Sequence, residues 1–370
     1  MRSLVLYAAS GCNLRCKHCA VGSDQASPRP SLSTADVSAI LRNAAANHVK
    51  LITLLGGEIF FVRDDLEEIF GCADSLGLSL SVNTNLLFPE HLIALKEHPS
   101  LSNVSFSLDG SSADAHDKIR GRGMFEKTIS AYHKIKREMS GREDISFDIN
   151  YTFNALNKDE PYGIVALSNE LAVRRLNVTL LALKDFAVRN SRLLALDDRG
   201  LIDGISALLL AWTGSGRTQI SIYIPPLFAA YLQARFGTTF VAPNYQGCGG
   251  PDVYGYVDND GNHLPCPSMS YDHNRRVDKG SRLNLDARIR SLEDIWKESP
   301  FRLFESSRHQ GSFMRETYPC PQCVFRESCR PCTSSVIEGG PQEQPLCAAL
   351  ARVGNEYVPE FTATHLSAAP

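Results

Sequence analysis

Between Leu4 and about Leu183 the chain alternates short apolar runs with longer amphipathic segments, and this alternation limits the possible fold more than any other feature. The runs "SLVLYA", "LITLLG", "LSLSVN", "NVSFSL", "ISFDINYTF" and "LNVTLLAL" have the length and the β-branched or aromatic content of strands. The segments between them, such as "TADVSAILRNAAANHV" and "MFEKTISAYHKIKREM", carry apolar residues at helical spacing. Ser33 and Thr34 ahead of Val37, and Asp64 and Asp65 ahead of Leu66, are the expected helix caps. Strands joined by crossover helices run parallel with right-handed connections. The expected class is therefore α/β, a partial (β/α)6 TIM-like barrel with its chemistry at the strand C-termini. A further helix is expected from about Asp197 to Trp212, followed by a break at "TGSGR". Beyond Pro225 the sequence is rich in Pro, Gly and Cys, with one hairpin signal, "VYGYVDNDGNHLPC", in which Asp260-Gly261 suits a tight turn. The expected division is residues 1–240 as the barrel and 241–370 as a smaller Cys-rich domain.

Composition removes several functional classes. With 43% hydrophobic and 21% charged residues the chain is an ordinary globular sequence, not a disordered one. A net charge of −3 with scattered Lys and Arg gives no footprint for neutralising many phosphates, so nucleic acid is not expected as the main partner. No apolar run approaches the roughly 20 residues that span a bilayer. The start "MRSLVLYAASGC" has too short an apolar core for a signal peptide. No membrane association is expected, and the expected location is the cytoplasm. There thiols stay reduced, and the odd count of 11 cysteines does not close into a disulfide framework. They are read as metal ligands, grouped as Cys12, Cys16 and Cys19 near the N-terminus and Cys320, Cys323, Cys329 and Cys332 near the C-terminus. Cys248, Cys266 and Cys347 surround the second group, and Cys72, in "LEEIFGCADSLG", reads as a small core residue.

The loop "SGCNLRCKHCA" directly follows the first expected strand and spaces its thiols C-x3-C-x2-C. A [4Fe–4S] cluster usually takes four cysteines, so a loop that supplies three leaves one iron open to a reacting molecule. The same logic separates catalytic zinc sites from structural ones. Zinc held by these cysteines and His18 is the alternative reading of the loop.

This loop resembles the signature of the radical S-adenosylmethionine (SAM) superfamily, in which the open iron chelates SAM and reductive cleavage gives a 5′-deoxyadenosyl radical. His18 departs from the aromatic residue usual before the last cysteine. "LLGGEIFF" places Gly56, Gly57 and Glu58 at the end of the second strand and resembles the family's GGE motif, which hydrogen-bonds the SAM amino group. In "SVNTN", Asn83, Thr84 and Asn85, and in "SFSLDG", Ser105, Ser107 and Asp109, resemble family positions near the SAM ribose and the substrate. Asp109 is the expected polar group facing substrate, with a turn-forming Asp before Gly110 as the competing reading. "AHDKIRGRGMFEKTI" brings His116, Asp117, Arg120 and Gly121 into register with the segment that follows in the family, although His116 alone reads as a surface helix residue.

The C-terminal cysteines resemble the seven-cysteine SPASM domain, which carries two auxiliary [4Fe–4S] clusters in peptide-modifying radical SAM enzymes. The resemblance assigns Cys320, Cys323, Cys329 and Cys347 to an outer cluster, and Cys248, Cys266 and Cys332 to an inner one. Two departures are a C-x2-C at "CRPC" where the family commonly has C-x3-C, and Tyr254 where a further cysteine often stands. A zinc ribbon is the alternative for the paired C-x2-C spacings. By resemblance the cofactors are SAM, one SAM-binding cluster and two auxiliary clusters, and the activity is oxidative modification of a peptide or protein side chain. The partners implied are that substrate, a flavodoxin- or ferredoxin-type reductant and, since no domain precedes the first strand, a separate leader-peptide-binding protein. Radical oxidation or epimerisation of a small metabolite such as an aminosugar, and a non-catalytic iron–sulfur or zinc protein, are the rival readings.

Overall fold

Six of the apolar runs form neighbouring strands of one sheet: β1 Ser3–Ala9, β2 Leu51–Gly56, β3 Ser79–Thr84, β4 Leu101–Ser107, β5 Ser146–Phe153 and β6 Arg175–Leu180. Three shorter strands extend it, β7 Gln219–Ser221, β8 Tyr254–Val257 and β9 His263–Leu264, in the order β7-β6-β5-β4-β3-β2-β1-β8-β9. These elements belong to a computed structural model that describes residues 3–20, 32–182, 186–215, 217–238, 254–266, 285–298, 318–326, 329 and 344–366. Every pairing from β7 to β8 is parallel, and β8–β9 is the antiparallel hairpin that Asp260-Gly261 announces, with Gly261 at φ 87°. The edge strand β7 has only three residues, too few for an alternating pattern to show in sequence.

Each of β3–β6 has an apolar outer face packed under helices, because side chains alternate across a strand. Val82, Phe106, Tyr151, Phe153 and Val178 are buried in one continuous core, and Phe106 stacks obliquely on Tyr132 of the helix Met124–Glu138, centroids 5.2 Å apart. The opposite, inner face of the same strands is polar.

The helix Thr34–Ala46 starts at Ser33 with a complete capping box to Asp36. The helix Leu66–Ser75 does start after Asp65, but without a side-chain cap. The Asp65 carboxylate is drawn instead to Arg63, at 2.9 and 2.6 Å, and to the Thr34 hydroxyl. Arg63 itself is buried and donates from Nη1 to the Ala8 and Leu32 carbonyls, which ties the end of β1 to the next helix.

The described part of residues 241–370 is built onto the barrel rather than set apart. β8 pairs with β1, and the helix Pro345–Tyr357 packs on the helix Asp198–Ser215, with Arg352 bonded to Asp198 at 2.7 and 2.8 Å. Leu346, Cys347 and Phe361 enter the main core, and Cys72 packs at its edge. Among the described residues no helix is long and apolar enough to cross a membrane.

Candidate active site

The three-cysteine loop leaves β1 at Ser10 and is clamped to the end of β2 by backbone bonds. Gly57 N–H donates to the Ala9 carbonyl and Glu58 N–H to the Gly11 carbonyl, both at 2.8 Å. A Cβ at Gly56 would lie 2.0 Å from the Ala9 oxygen, and one at Gly57 would lie 2.0 Å from the Gly11 oxygen. The glycines thus allow close approach, but to the chain that carries the thiols rather than to a ligand.

Glu58 is fully buried, and both its oxygens are engaged. Oε1 accepts from Phe60 N–H at 3.2 Å and from the Thr84 hydroxyl at 2.8 Å, while Oε2 accepts from Asn85 N–H at 2.6 Å. The side chain caps the helix Ile59–Val62 and binds β3 to β2. Thr84 and Asn85 are likewise braces, since Asn85 Nδ2 donates to Asn13 Oδ1 inside the cysteine loop at 2.8 Å. Burial raises the Glu58 carboxyl from 4.5 to about 7 against the pull of its donors. The folded state then holds a proton that the unfolded chain has lost, so this group's contribution to stability falls as pH rises from 4.5 to about 7. Glu58→Gln should lose that slope in denaturant titrations. It should also cost about 1–3 kcal/mol, because an amide nitrogen would face a donor now bonded to oxygen. An unchanged midpoint and an unchanged slope would remove the bracing role.

Cys12, Cys16 and Cys19 lie close enough that each ionised thiol would repel the others, and burial pushes the Cys12 thiol up to about 12. Two donors are aimed at these sulfurs: Leu14 N–H to Cys12 Sγ at 3.4 Å and Arg120 Nη1 to Cys16 Sγ at 3.8 Å. Buried thiols that crowd together and receive hydrogen bonds suit iron-bound thiolates, whose charge the metal offsets. Among the described residues no three His, Cys, Asp or Glu side chains close to the spacing of a single ion. A cube of four irons holds its thiolates at separate corners and requires no such closure.

Asp109 follows β4 and is fully buried. Its Oδ2 accepts from Arg120 Nε at 2.5 Å and lies 3.5 Å from His18 Nε2, and its Oδ1 accepts from Thr152 N–H at 2.8 Å. The residue thus does more than form a turn: its ion pair holds Arg120 against the cysteine loop. Burial would raise its pKa, but the Arg120 and His18 charges outweigh that and lower it. His18, the fourth ligand of the zinc alternative, is turned toward this carboxylate, and its buried Nδ1 has no hydrogen-bond partner among the described residues. His116 is buried too, contrary to the surface expectation, with Nδ1 accepting from Asp109 N–H at 3.1 Å. Burial lowers its pKa to about 4, so the ring is neutral.

The inner face of the barrel opens beside this loop. Asn83 bonds Asn150, Ser105 Oγ donates to Asn103 Oδ1 at 3.0 Å, and Ser107 stands opposite Asn150 in register. Asn150 and Asn177 escaped the sequence reading, although "SFDINYTF" shows polar residues at every second position, the signal of a polar barrel wall.

In the C-terminal region Cys347 is buried and its thiol is pushed well up, by burial first and then by Cys329, Cys320 and Cys323 nearby. The four cysteines assigned to the outer cluster thus share one neighbourhood. Cys266, two residues after β9, is buried, while Cys248 and Cys332 lie outside the described residues.

Residues 6–167 match the radical SAM superfamily. That likeness covers rather less than half of the chain. Domains of this superfamily use SAM together with a [4Fe–4S] cluster, and the matched span contains Cys12, Cys16 and Cys19. A relative named AdoMet-dependent heme synthase, from Methanosarcina barkeri, is 31% identical over 173 residues, 46% of this chain and 48% of the relative. The chain therefore spans about half the length of that relative. PqqA peptide cyclase from Ruegeria pomeroyi is 26% identical over 356 residues, covering 93% of this chain and 82% of its own. Streptococcus suis SuiB, solved with S-adenosylmethionine, superposes with TM-score 0.67 at 18% identity over 93% of this chain and 76% of SuiB. Native anSMEcpe with bound AdoMet gives 0.66 at 15% identity over 98% of this chain and 99% of that one. Both likenesses establish the partial barrel fold.

Proposed function

We propose that this protein is a radical SAM enzyme that oxidatively modifies a peptide or protein side chain, with Cys12, Cys16 and Cys19 holding the SAM-binding cluster. The observation that carries this reading is three crowded thiols, two of them receiving hydrogen bonds, at the C-terminal rim of a parallel barrel whose adjoining inner wall carries a chain of amides. When bound, the cluster and SAM supply one-electron cleavage and hydrogen abstraction from an unactivated C–H bond. The chain's own residues then have separate tasks. Leu14 N–H and Arg120 stabilise the thiolates of Cys12 and Cys16, Gly56 and Gly57 fix the loop's distance from β2, and Asp109 keeps Arg120 charged and in place.

Residues 241–370 are read as the auxiliary-cluster domain, with Cys320, Cys323, Cys329 and Cys347 on one cluster and Cys248, Cys266 and Cys332 on another. A reductant of flavodoxin or ferredoxin type and a separate leader-binding protein complete the scheme, in the cytoplasm. The name of the Ruegeria relative supports a peptide substrate. The name of the Methanosarcina relative favours a second reading, a porphyrin substrate. Anaerobic reconstitution with SAM and dithionite should yield 5′-deoxyadenosine and a mass change in a peptide encoded beside the gene. Mass loss from iron coproporphyrin with every such peptide untouched would replace the peptide reading by the porphyrin one.

A further inference from the structure

The inner wall beside the cysteine loop carries a chain of side-chain amides. Asn150 of β5 donates Nδ2 to Asn83 Oδ1 on β3 at 2.8 Å, and Asn177 of β6 donates Nδ2 to Asn150 Oδ1 at 3.1 Å. β3 and β5 are separated by β4, so their backbones lie roughly 9–10 Å apart. The two amides meet above that strand because the residues opposite Asn83 and Asn150 are the small Ser105 and Ser107. One layer nearer the mouth, Thr152 and Thr179 pair through their hydroxyls at 3.2 Å.

The head-to-tail order gives the three amides a direction. A primary amide offers two N–H donors and one carbonyl. Among the described residues Asn83 uses only its oxygen and Asn177 only one N–H. Donors are thus left at the β3 end, beside the cysteine loop, and an acceptor at the β6 end. All three side chains are half-buried, facing the barrel interior. None of these amide and hydroxyl positions is charged, and Arg120 is paired with Asp109 and Arg174 with Asp148. The free ends of the amide chain, donors at one side and an acceptor at the other, match the two groups of a peptide unit.

We propose that Asn83, Asn150 and Asn177 form a subsite that reads two neighbouring peptide units of the substrate, one carbonyl on Asn83 Nδ2 and one N–H on Asn177 Oδ1. This rests on the peptide reading above and adds the residues that discriminate. Asn177→Leu removes the outward acceptor, while Asn177→Gln keeps an amide with both its oxygen and its N–H donors. The probe is a fluorescein-labelled peptide selected for binding to the reconstituted wild type from a random display library. Its affinity is read by anisotropy with SAM present, and iron content and SAM affinity are measured in each variant.

Asn177→Leu should weaken the peptide about tenfold, the scale of one lost hydrogen bond to a desolvated group, and Asn177→Gln should stay within about threefold. Should Asn177→Leu lose iron, Asn177→Val is held to the same threshold. Equal weakening by both variants, or none in either, overturns the subsite and leaves the peptide reading standing. A wild type that binds iron coproporphyrin and yields no peptide from the library overturns both.

Discussion

Alanine at Cys12, Cys16 or Cys19 will abolish 5′-deoxyadenosine formation. Each thiol is one of three on a single loop, and no other described cysteine lies within the matched radical SAM span except Cys72, which packs at the edge of the core. Losing one ligand of three should exceed the roughly 10–100-fold loss that follows from disturbing a supporting hydrogen bond. Iron assigned to Cys320, Cys323, Cys329 and Cys347 should persist in these variants, because Cys347 is anchored in the main core by the helix Pro345–Tyr357. Iron analysis with a product assay on each variant checks both parts. Residual 5′-deoxyadenosine near the wild-type level in any one of them would refute the assignment of the loop.

Asp109→Asn will destabilise the fold by about 3–5 kcal/mol, the range for removing one partner of a buried ion pair. Arg120 would be left as an uncompensated cation 3.8 Å from the Cys16 sulfur, in a site with no exposed surface on the Asp109 side. The pair also sets a pH dependence. The Asp109 pKa lies below its ordinary 3.8, so its contribution to stability is present above that value and is lost as pH falls below it. Urea titrations should show a lower midpoint for the single variant and recovery of most of the loss in Asp109→Asn/Arg120→Met, where no buried charge remains. If the single variant lost less than about 1 kcal/mol, or the double variant were no better than the single, the charge-pair account would fail.

The sequence by itself determined the barrel, because the information there is local. Period-two apolar runs and helical spacing specify β1 to β6 and their crossovers residue by residue, and the cap at Ser33 is written in four consecutive positions. The cysteine spacing equally announced thiols gathered for a cluster, since C-x3-C-x2-C brings its side chains together without help from distant residues. What each polar residue does was decided only by the tertiary structure. Glu58, Thr84 and Asn85 are distant in sequence from Asn13, yet the parallel register of β2 and β3 turns them into braces for the cysteine loop. Asp109 reads as a residue at a barrel mouth until the helix Ala113–Arg120 folds back and places a guanidinium 2.5 Å from it. His116 reads as a surface residue until the same turn buries it. Asn83, Asn150 and Asn177 become one directional chain only because two serines on the strand between are small enough to pass under it. A side chain's partner in a parallel sheet lies a whole crossover away along the chain, so local pattern can say that a residue is polar and facing inward, while only the assembled register says what it meets.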